Sequence, residues 1–187
     1  MSDAVQPKTA LSSLQQGEVI LYPTEAVYGL GCDPMNQEAV EALLAIKQRP
    51  VEKGLILIAD NYGQLLPYVA DHRIPMDKRA DIFSQWPGAV TWVMPAAAST
   101  PKWLTGAFDS IAVRVSAHPT VKRLCQEFGG PIVSTSANLS GQDPVASIAQ
   151  GQATFGDRVG FYVDEPLGGG TQPSVIKDAM NGQIIRG

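Results

Sequence analysis

The sequence has few of the residues that mark several common protein classes. Only two cysteines occur in 187 residues, and because Cys32 and Cys125 form no Cys-x-x-Cys motif, we interpret them as reduced thiols. The two histidines, His72 and His118, do not cluster with the cysteines, so we do not expect a zinc site. The apolar runs are far shorter than the ~20 residues that cross a bilayer. With a polar N-terminus that lacks a signal-peptide pattern, this predicts a cytoplasmic protein with no membrane partner.

Several motifs for nucleotide chemistry and hydrolysis are also missing. There is no G-x-x-x-x-G-K-[ST] phosphate loop and no G-x-G-x-x-G dinucleotide motif. There is no G-x-S-x-G nucleophile elbow, so the many serines do not indicate a hydrolase. The net charge of −4 argues against binding phosphate backbones through overall positive charge, but it leaves room for a local basic pocket.

The composition is that of a globular protein, with 44% hydrophobic and 17% charged residues, and the length suits one domain over residues 1–187. Strand and helix patterns alternate along the chain, which predicts an α/β fold. We expect strands at 18–22, 55–59, 90–94, 111–115, from 132 onward and at 159–163. We expect helices at 37–47, with Asn36 as its cap, and at 76–86, 118–128 and 147–155.

Two further predictions concern turns. Asn181-Gly182 predicts a hairpin between 175–180 and 183–186, because both central residues tolerate positive φ. The segment 166–173 contains Gly168, Gly169 and Gly170, and we expect it to be a mobile loop.

Two segments place polar side chains at the ends of expected elements. In Lys47-Gln48-Arg49-Pro50, the proline favours extended backbone at Arg49, so the two cations can point differently and converge on one anion. They can equally complement the negative end of the helix dipole. The segment 134–138, Ser-Thr-Ser-Ala-Asn, follows a buried strand and can bind a ligand there, or it can form an ordinary turn.

Other candidate residues are less specific. Residues 22–31, YPTEAVYGLG, follow a strand, and the glycines either allow close approach of a ligand or form a tight turn. Arg114 lies late in an apolar strand, where a charge needs a structural partner or a ligand. Arg186 occupies the last expected strand in the same way, or is solvated.

Taken together, these motifs resemble the YrdC/TsaC family of threonylcarbamoyl-AMP synthases. The matching segments are YPTEAVYGLG (22–31), KQRP (47–50), AVRV (112–115) followed by His118-Pro119, STSANLSG (134–141) and PSVIKD (173–178). Each motif is weak alone, but the ordered set is specific and covers nearly the whole chain. The chain is similar to the short form of the family, without the additional C-terminal domain of longer relatives.

The resemblance implies a three-layer YrdC-like α/β fold, with a twisted mixed sheet, flanking helices and a large concave pocket. It also implies a nucleotidyltransferase that combines L-threonine, bicarbonate and ATP into threonylcarbamoyl-AMP and releases pyrophosphate. Magnesium would enter with ATP, bound by phosphate oxygens and water rather than by a protein metal site. The product would serve partner proteins that modify a tRNA adenosine next to the anticodon.

The resemblance also implies residue roles. Lys47 and Arg49 would be catalytic, neutralising the triphosphate and the charge that develops at the α-phosphorus. The implied ATP-binding set consists of Lys47, Arg49, Arg114, Ser136, Asn138 and Arg186. We add Lys53, which stands where longer relatives read Asn-Pro-Leu, as a further cation near the phosphates. The implied threonine-binding set consists of Thr24, Thr135 and Ser174.

The chain departs from the family pattern in three places. Ala26 stands where many relatives have a second threonine, and Val175 replaces the threonine of a serine–threonine pair. Ile58 stands where longer relatives have a histidine of the threonine pocket. These differences bear on amino-acid recognition rather than on the nucleotide site.

Two other functions are compatible with the resemblance. The same cations could grip phosphates of double-stranded RNA or tRNA, although the acidic composition and the absence of interleaved aromatic and basic residues argue against it. YrdC-like domains also occur in hydrogenase-maturation proteins, but the zinc-finger and acyl-phosphatase segments of those proteins are missing from this sequence.

Overall fold

The computed structural model of the chain describes residues 7–186. Its helices are α1 (Ala10–Gln15), α2 (Gln37–Lys47), α3 (Tyr62–Leu65), α4 (Met76–Ser84), α5 (Lys102–Thr105), α6 (Pro119–Phe128) and α7 (Ile148–Phe155). Its strands are β1 (Ile20–Pro23), β2 (Tyr28–Gly31), β3 (Ile56–Ala59), β4 (Val90–Pro95), β5 (Ser110–Val115), β6 (Ile132–Ser136), β7 (Phe161–Tyr162), β8 (Val175–Asp178) and β9 (Ile184–Arg186). Short 3-10 turns occur at Val51–Lys53, Leu66–Tyr68, Asp71–Arg73 and Gly156–Arg158.

The nine strands form one mixed sheet in the order β7-β1-β2-β6-β3-β5-β4-β8-β9. The pairs β1–β7, β3–β5 and β4–β8 are parallel, and the other neighbours are antiparallel. The predicted α/β class, with a mixed sheet and flanking helices, is therefore confirmed.

The two faces of the sheet bury separate apolar clusters, because successive side chains of a strand point to opposite faces. Ile20, Ile58 and Ile132 pack in a cluster with residues of α1 and α6. Their chain neighbours, such as Leu21, Leu57 and Val133, pack on the other face with residues of α2. The result is a helix–sheet–helix arrangement of three layers, as predicted.

Cap residues set the ends of the main helices where the sequence predicts them. Asn36 Oδ1 accepts from the Ala39 amide at 3.1 Å, and α2 covers the predicted 37–47. His118 Nδ1 accepts from the Thr120 amide at 3.1 Å at the start of α6, which ends at Gly129 in the left-handed conformation. The predicted helix 76–86 ends earlier, at Ser84, because the residues before Pro87 leave helical geometry.

One central strand is missing from the sequence-based expectation. Residues 28–31 form β2, which pairs with β1 and β6, whereas the sequence predicts either close approach of a ligand or a tight turn there. A Cβ at Gly31 would lie 2.3 Å from the Val133 carbonyl oxygen and 2.7 Å from the Tyr22 ring. Gly31 is therefore required by strand and ring packing, and the interpretation of this glycine as a site of ligand approach is wrong.

The C-terminal hairpin is confirmed, but its turn differs from the predicted type. Strands β8 and β9 pair antiparallel, and only Gly182 of the Asn181-Gly182 pair has positive φ, at 75°. The Gly182 amide donates to the Asp178 carbonyl oxygen at 2.7 Å, so the loop is wider than a two-residue turn. The strand predicted at 159–163 is also shorter, since only 161 and 162 pair with β1.

Within residues 7–186, no helix combines the length and the apolar character needed to cross a bilayer.

Candidate functional site

A cavity of about 780 Å³ lies against the sheet face that carries Ile58 and Ile132. Helices and apolar residues cover only part of this face. Elsewhere, alternate positions of four strands carry the side chains that form the cavity floor: Thr91 and Val93, Ser110, Ala112 and Arg114, Ser134 and Ser136, and Ile176 and Asp178. Because most of these side chains are small, the floor is concave.

All ten residues predicted to bind substrates line this one cavity: Thr24, Lys47, Arg49, Lys53, Arg114, Thr135, Ser136, Asn138, Ser174 and Arg186. They come from distant parts of the sequence, from β5, β6, β9, the end of α2 and the loops between elements. The sequence motifs therefore converge in space, as the resemblance implies.

Lys47 is buried, with 7% exposure, and its ammonium group binds the end of β6. Its Nζ donates to the carbonyl oxygens of Ser136 at 2.7 Å and Asn138 at 3.0 Å, and also to Asn138 Oδ1. All three of these acceptors are neutral. Burial, followed by repulsion from Arg49, lowers the pKa of Lys47 to about 8.

Gln48 turns the chain between Lys47 and Arg49. It adopts the left-handed conformation, with φ 50° and ψ 39°, which is uncommon for a residue other than glycine. The Arg49 guanidinium then donates to the Gly54 carbonyl oxygen from Nε at 3.2 Å and from Nη2 at 3.0 Å. Burial and the nearby Arg186 lower the pKa of Arg49.

Four cations of the cavity, Lys47, Arg49, Lys53 and Arg186, form no ion pair with any carboxylate among residues 7–186. Arg186 donates to the Ser174 carbonyl oxygen at 3.1 Å instead. Positive charge that is partly buried and not neutralised makes this side of the cavity suitable for a polyanion.

Arg114 differs, because its partner is Glu25. Arg114 Nη2 lies 2.9 Å from Glu25 Oε2, and the Arg114 side chain is 8% exposed. The Ser116 hydroxyl donates to the other oxygen of Glu25. Partial burial alone would raise the pKa of the Glu25 carboxyl, but Arg114 and Ser116 together lower it. The sequence alone did not reveal a partner for the charge of Arg114. In the structure, Glu25 neutralises this charge within the cavity.

Two of the three predicted threonine-binding residues, Thr24 and Ser174, already make hydroxyl contacts within the protein. Thr24 Oγ1 donates to the Val27 carbonyl oxygen at 2.6 Å, and Ser174 Oγ lies 2.8 Å from Thr91 Oγ1. Thr24, Ser174 and Thr91 are all buried. These bonds fix the directions of the hydroxyls, while each oxygen keeps acceptor capacity for a ligand.

The segment 166–173, which we call the glycine loop, adds Gln172 and Pro173 to the lining of the cavity. Its Gly168 amide donates to the Thr24 carbonyl oxygen at 2.9 Å, and its Gly170 amide donates to the Glu25 carbonyl oxygen at 2.8 Å. The loop therefore packs on the backbone of the segment that follows β1.

Sequence reasoning did not assign Glu25, Thr91 or Asp178 to the site, although all three line the cavity. A signal for Thr91 exists in the sequence, because the smaller Thr91 and Val93 alternate with the larger Trp92 and Met94 along β4. Strand β8 reads Val-Ile-Lys-Asp and shows no such alternation for Asp178. Glu25 has no such signal, since its importance depends on contact with Arg114, which is 89 residues away.

Position 58 lies at the border of the cavity. Ile58 is the Cα partner of Arg114 across β3 and β5, and it is fully buried beside residues of α6. It does not line the cavity, so its side chain belongs to the apolar cluster under α6 and not to the candidate site.

Among residues 7–186, no group of three or more histidine, cysteine, aspartate or glutamate side chains could hold a metal ion. Two carboxylates, Glu25 and Asp178, line the cavity separately.

Comparison with known proteins identifies the family. A family model described as "Telomere recombination", which represents the Sua5, YciO and YrdC proteins, matches residues 12–187. The chain belongs to the Sua5/YciO/YrdC family. The family resemblance predicted from the sequence motifs is thereby confirmed.

Two curated members of the Sua5/YciO/YrdC family are similar over nearly their full lengths. The threonylcarbamoyl-AMP synthase of Pseudoalteromonas translucida (strain TAC 125) is 75% identical over 187 residues, which is 100% of both chains. The threonylcarbamoyl-AMP synthase of Yersinia enterocolitica serotype O:8 / biotype 1B is 57% identical over 176 residues, covering 94% of this chain and 92% of the relative.

A solved structure of the same family is P. abyssi Sua5 complexed with L-threonine. It matches with a TM-score of 0.83 and 29% sequence identity, over 90% of this chain and 49% of the Sua5 chain. This chain therefore spans about half the length of that Sua5 protein, and the shared half has the Sua5/YciO/YrdC fold.

Proposed function

We propose that this protein is an enzyme that makes threonylcarbamoyl-AMP from L-threonine, bicarbonate and ATP and releases pyrophosphate. The observation that carries the proposal is one cavity in which unpaired cations lie beside small hydroxyl side chains. The names of the two curated relatives and the L-threonine in the Sua5 complex support it. The product would be used by proteins that modify tRNA next to the anticodon.

The unpaired cations would bind the triphosphate. Lys47 already uses three donors on neutral oxygens, so a phosphate oxygen has to replace one of them. The exchange is favourable because a hydrogen bond to an oxyanion is stronger than one to an amide oxygen. Arg49 and Arg186 would bind the remaining phosphate oxygens, with Lys53 adding charge at the rim.

Ser136 and Asn138 would hold the nucleotide next to Lys47, to which both are already bonded. Arg114 would complete the nucleotide clamp through directed N–H groups, while Glu25 balances its charge. Magnesium would enter as the counter-ion of ATP and would therefore be part of the substrate.

Thr24, Thr135 and Ser174 would position threonine. The threonine amine would attack the carbon of bicarbonate, forming the N–C bond of N-carboxythreonine as water is released. An oxygen of the new N-carboxylate group would then attack the α-phosphorus, forming the new P–O bond as the bond to pyrophosphate breaks. No protein nucleophile is required, so the protein contributes positioning and charge stabilisation.

The test is pyrophosphate release from ATP and magnesium, with threonine and bicarbonate each present or omitted. We expect release only when both are present, and we expect threonylcarbamoyl-AMP in the products by mass spectrometry. A folded protein that binds ATP but releases no pyrophosphate with both co-substrates would contradict the proposal.

A further inference from the structure

A chain of side-chain contacts begins at Glu25 and crosses the wall of the cavity. The Glu25 carboxylate accepts from Arg114 at 2.9 Å and from the Ser116 hydroxyl. The Ser116 oxygen in turn accepts from the His118 amide at 3.1 Å. Glu25 therefore connects the arginine of the cavity to the first residues of α6.

His118 extends the chain to the glycine loop. Its Nδ1 accepts from the Thr120 amide, so Nε2 carries the proton and donates to the Pro166 carbonyl oxygen at 3.1 Å. Pro166 is the first residue of the glycine loop. The Pro166 end of the loop is thus connected to Arg114 by one chain of hydrogen bonds.

The other part of the loop is held by the backbone of Glu25 itself. A Cβ on Gly168 would lie 2.8 Å from Glu25 Cα, and one on Gly170 would lie 3.0 Å from the Glu25 carbonyl oxygen. Together with the hydrogen bonds that the two glycine amides donate to the carbonyl oxygens of residues 24 and 25, these distances show that the loop packs closely on the Glu25 backbone.

Arg114 needs such support because most of its donors are free. A guanidinium has five N–H groups. Within residues 7–186, the Arg114 side chain makes one hydrogen bond, to Glu25. The side chain is nearly buried and lines the cavity, so its other N–H groups are available to a ligand. Their direction depends on how firmly Glu25 holds the guanidinium.

We propose that Glu25 is a positioning residue. Its carboxylate orients Arg114 toward the substrates and also supports the glycine loop through Ser116 and His118. A change that weakens the contacts of the Glu25 carboxylate is then expected to affect both the orientation of Arg114 and the packing of the glycine loop. The inference rests on the proposed function, because Arg114 is taken to contact a substrate of that reaction.

The first experiment compares steady-state kinetics of Glu25→Gln and Arg114→Met, with Glu127→Gln on the exposed side of α6 as the charge-matched control. Glu25→Gln keeps the size of the side chain and removes its charge. We expect it to lower kcat/KM by about tenfold or more, the loss typical of a charge-assisted hydrogen bond. We also expect Glu25→Gln and Arg114→Met to change the KM for the same substrate. The two variants should divide their effects between kcat and KM in the same way.

The double variant separates positioning from general structural support. If Glu25 acts through Arg114, Glu25→Gln in the Arg114→Met background causes no further loss, or restores activity by removing an unpaired carboxylate. A further tenfold loss in the double variant would overturn the proposal. So would a Glu25→Gln enzyme within about twofold of the wild type.

The second experiment measures hydrogen exchange over residues 166–173. We expect Glu25→Gln to exchange several times faster there than Glu127→Gln, and unchanged exchange would overturn the coupling to the loop. Ser116→Ala removes one of the two contacts of the Glu25 carboxylate. It replaces Glu25→Gln as the test variant if Glu25→Gln does not fold. It should show the same effects at smaller size, and wild-type kinetics together with wild-type exchange would contradict the proposal.

The two proposals fail in different ways. A wild-type protein without threonine- and bicarbonate-dependent release contradicts the proposed function, whatever Glu25 does. In that case ATP and L-threonine binding, measured by calorimetry on the same variants, replaces turnover. Loss of binding of one ligand in both Glu25→Gln and Arg114→Met still supports positioning, and unchanged binding in Glu25→Gln overturns it.

Discussion

Lys47 is the residue whose environment differs most from the one that its sequence suggests. A lysine at the end of a helix is expected to be solvated, yet Lys47 is 7% exposed and bonded to three neutral oxygens of residues 136–138. The same ammonium group therefore supports the end of β6 and supplies charge to the cavity. These two roles predict different behaviour for Lys47 and Arg49 when either is removed.

Lys47→Ala should reduce both stability and activity, whereas Arg49→Ala should reduce mainly activity. Loss of Lys47 leaves buried oxygens without a donor, which costs about 1–3 kcal/mol of unfolding free energy. Turnover should fall by about tenfold or more in both variants, as expected when a cation that stabilises transition-state charge is lost. Urea unfolding and pyrophosphate release measure the two effects. Equal stability of Lys47→Ala and the wild type would show that its bonds to β6 contribute little.

The lowered pKa of Lys47 predicts a pH dependence of nucleotide affinity. The ammonium is charged below a pKa of about 8 and neutral above it, so the free protein loses one cation of the cavity as the pH rises. We expect ATP affinity, measured calorimetrically at fixed magnesium, to fall from about pH 7 to about pH 9.5. Lys47→Met should bind weakly with no such slope. A flat wild-type profile would mean that Lys47 does not contact the triphosphate.

At the scale of elements, the sequence predicted the helices with strong caps and missed the strand built on glycines. Asn36, Pro119 and Gly129 mark helix ends by local chemistry, and the structure has those ends. Strand β2 has no local signal, because Gly29 and Gly31 lower strand propensity. Its formation depends on pairing with β1 and β6, which only the tertiary structure shows.

The close packing of β2 gives a prediction about Gly31. Gly31→Ala places a methyl group 2.3 Å from the Val133 carbonyl oxygen, so strands β2 and β6 have to separate. We expect a loss of about 1–3 kcal/mol in the free energy of unfolding, as for other overpacked cores. Gly130→Ala is the control, since a Cβ there meets no atom within 4 Å. Equal urea midpoints for the two variants would contradict the packing argument.

The residues of the candidate site could be proposed from the sequence, but the contacts between them could not. Each motif placed a cation or hydroxyl at the end of an element, and all ten residues lie in one cavity. The contact between Glu25 and Arg114, and the shared hydrogen bond of Thr91 and Ser174, join residues more than 80 positions apart. Such pairs follow from strand order, and one sequence does not reveal strand order.

At the scale of the whole molecule, charge is distributed unevenly. The chain carries a net charge of −4, while four cations without ion pairs among residues 7–186 line the cavity. One continuous sheet joins both apolar clusters, which supports our proposal that residues 1–187 form a single domain. An acidic body with a local basic cavity favours a small polyanion over a long nucleic acid.

This distribution distinguishes nucleotide binding from the RNA-binding alternative. A surface that makes 6–10 phosphate contacts loses about 10³–10⁵-fold in affinity between about 50 and 200 mM salt. We expect ATP affinity to change by less than about tenfold over that range, because the cations are partly buried. RNA binding measured alongside should be weak and lost as salt rises. Tight RNA binding that persists at the higher salt would favour the alternative.

Gln48 has a consequence for protein engineering. Its left-handed backbone costs about 1–2 kcal/mol relative to an ordinary conformation, and glycine would remove most of that cost. Selection for heat resistance alone would therefore favour glycine at position 48. The same substitution would give the backbone between Lys47 and Arg49 more conformational freedom. The gain in heat resistance would therefore come with slower turnover. At position 48, a higher free energy of unfolding would thus be gained at the expense of a well-defined placement of the two cations.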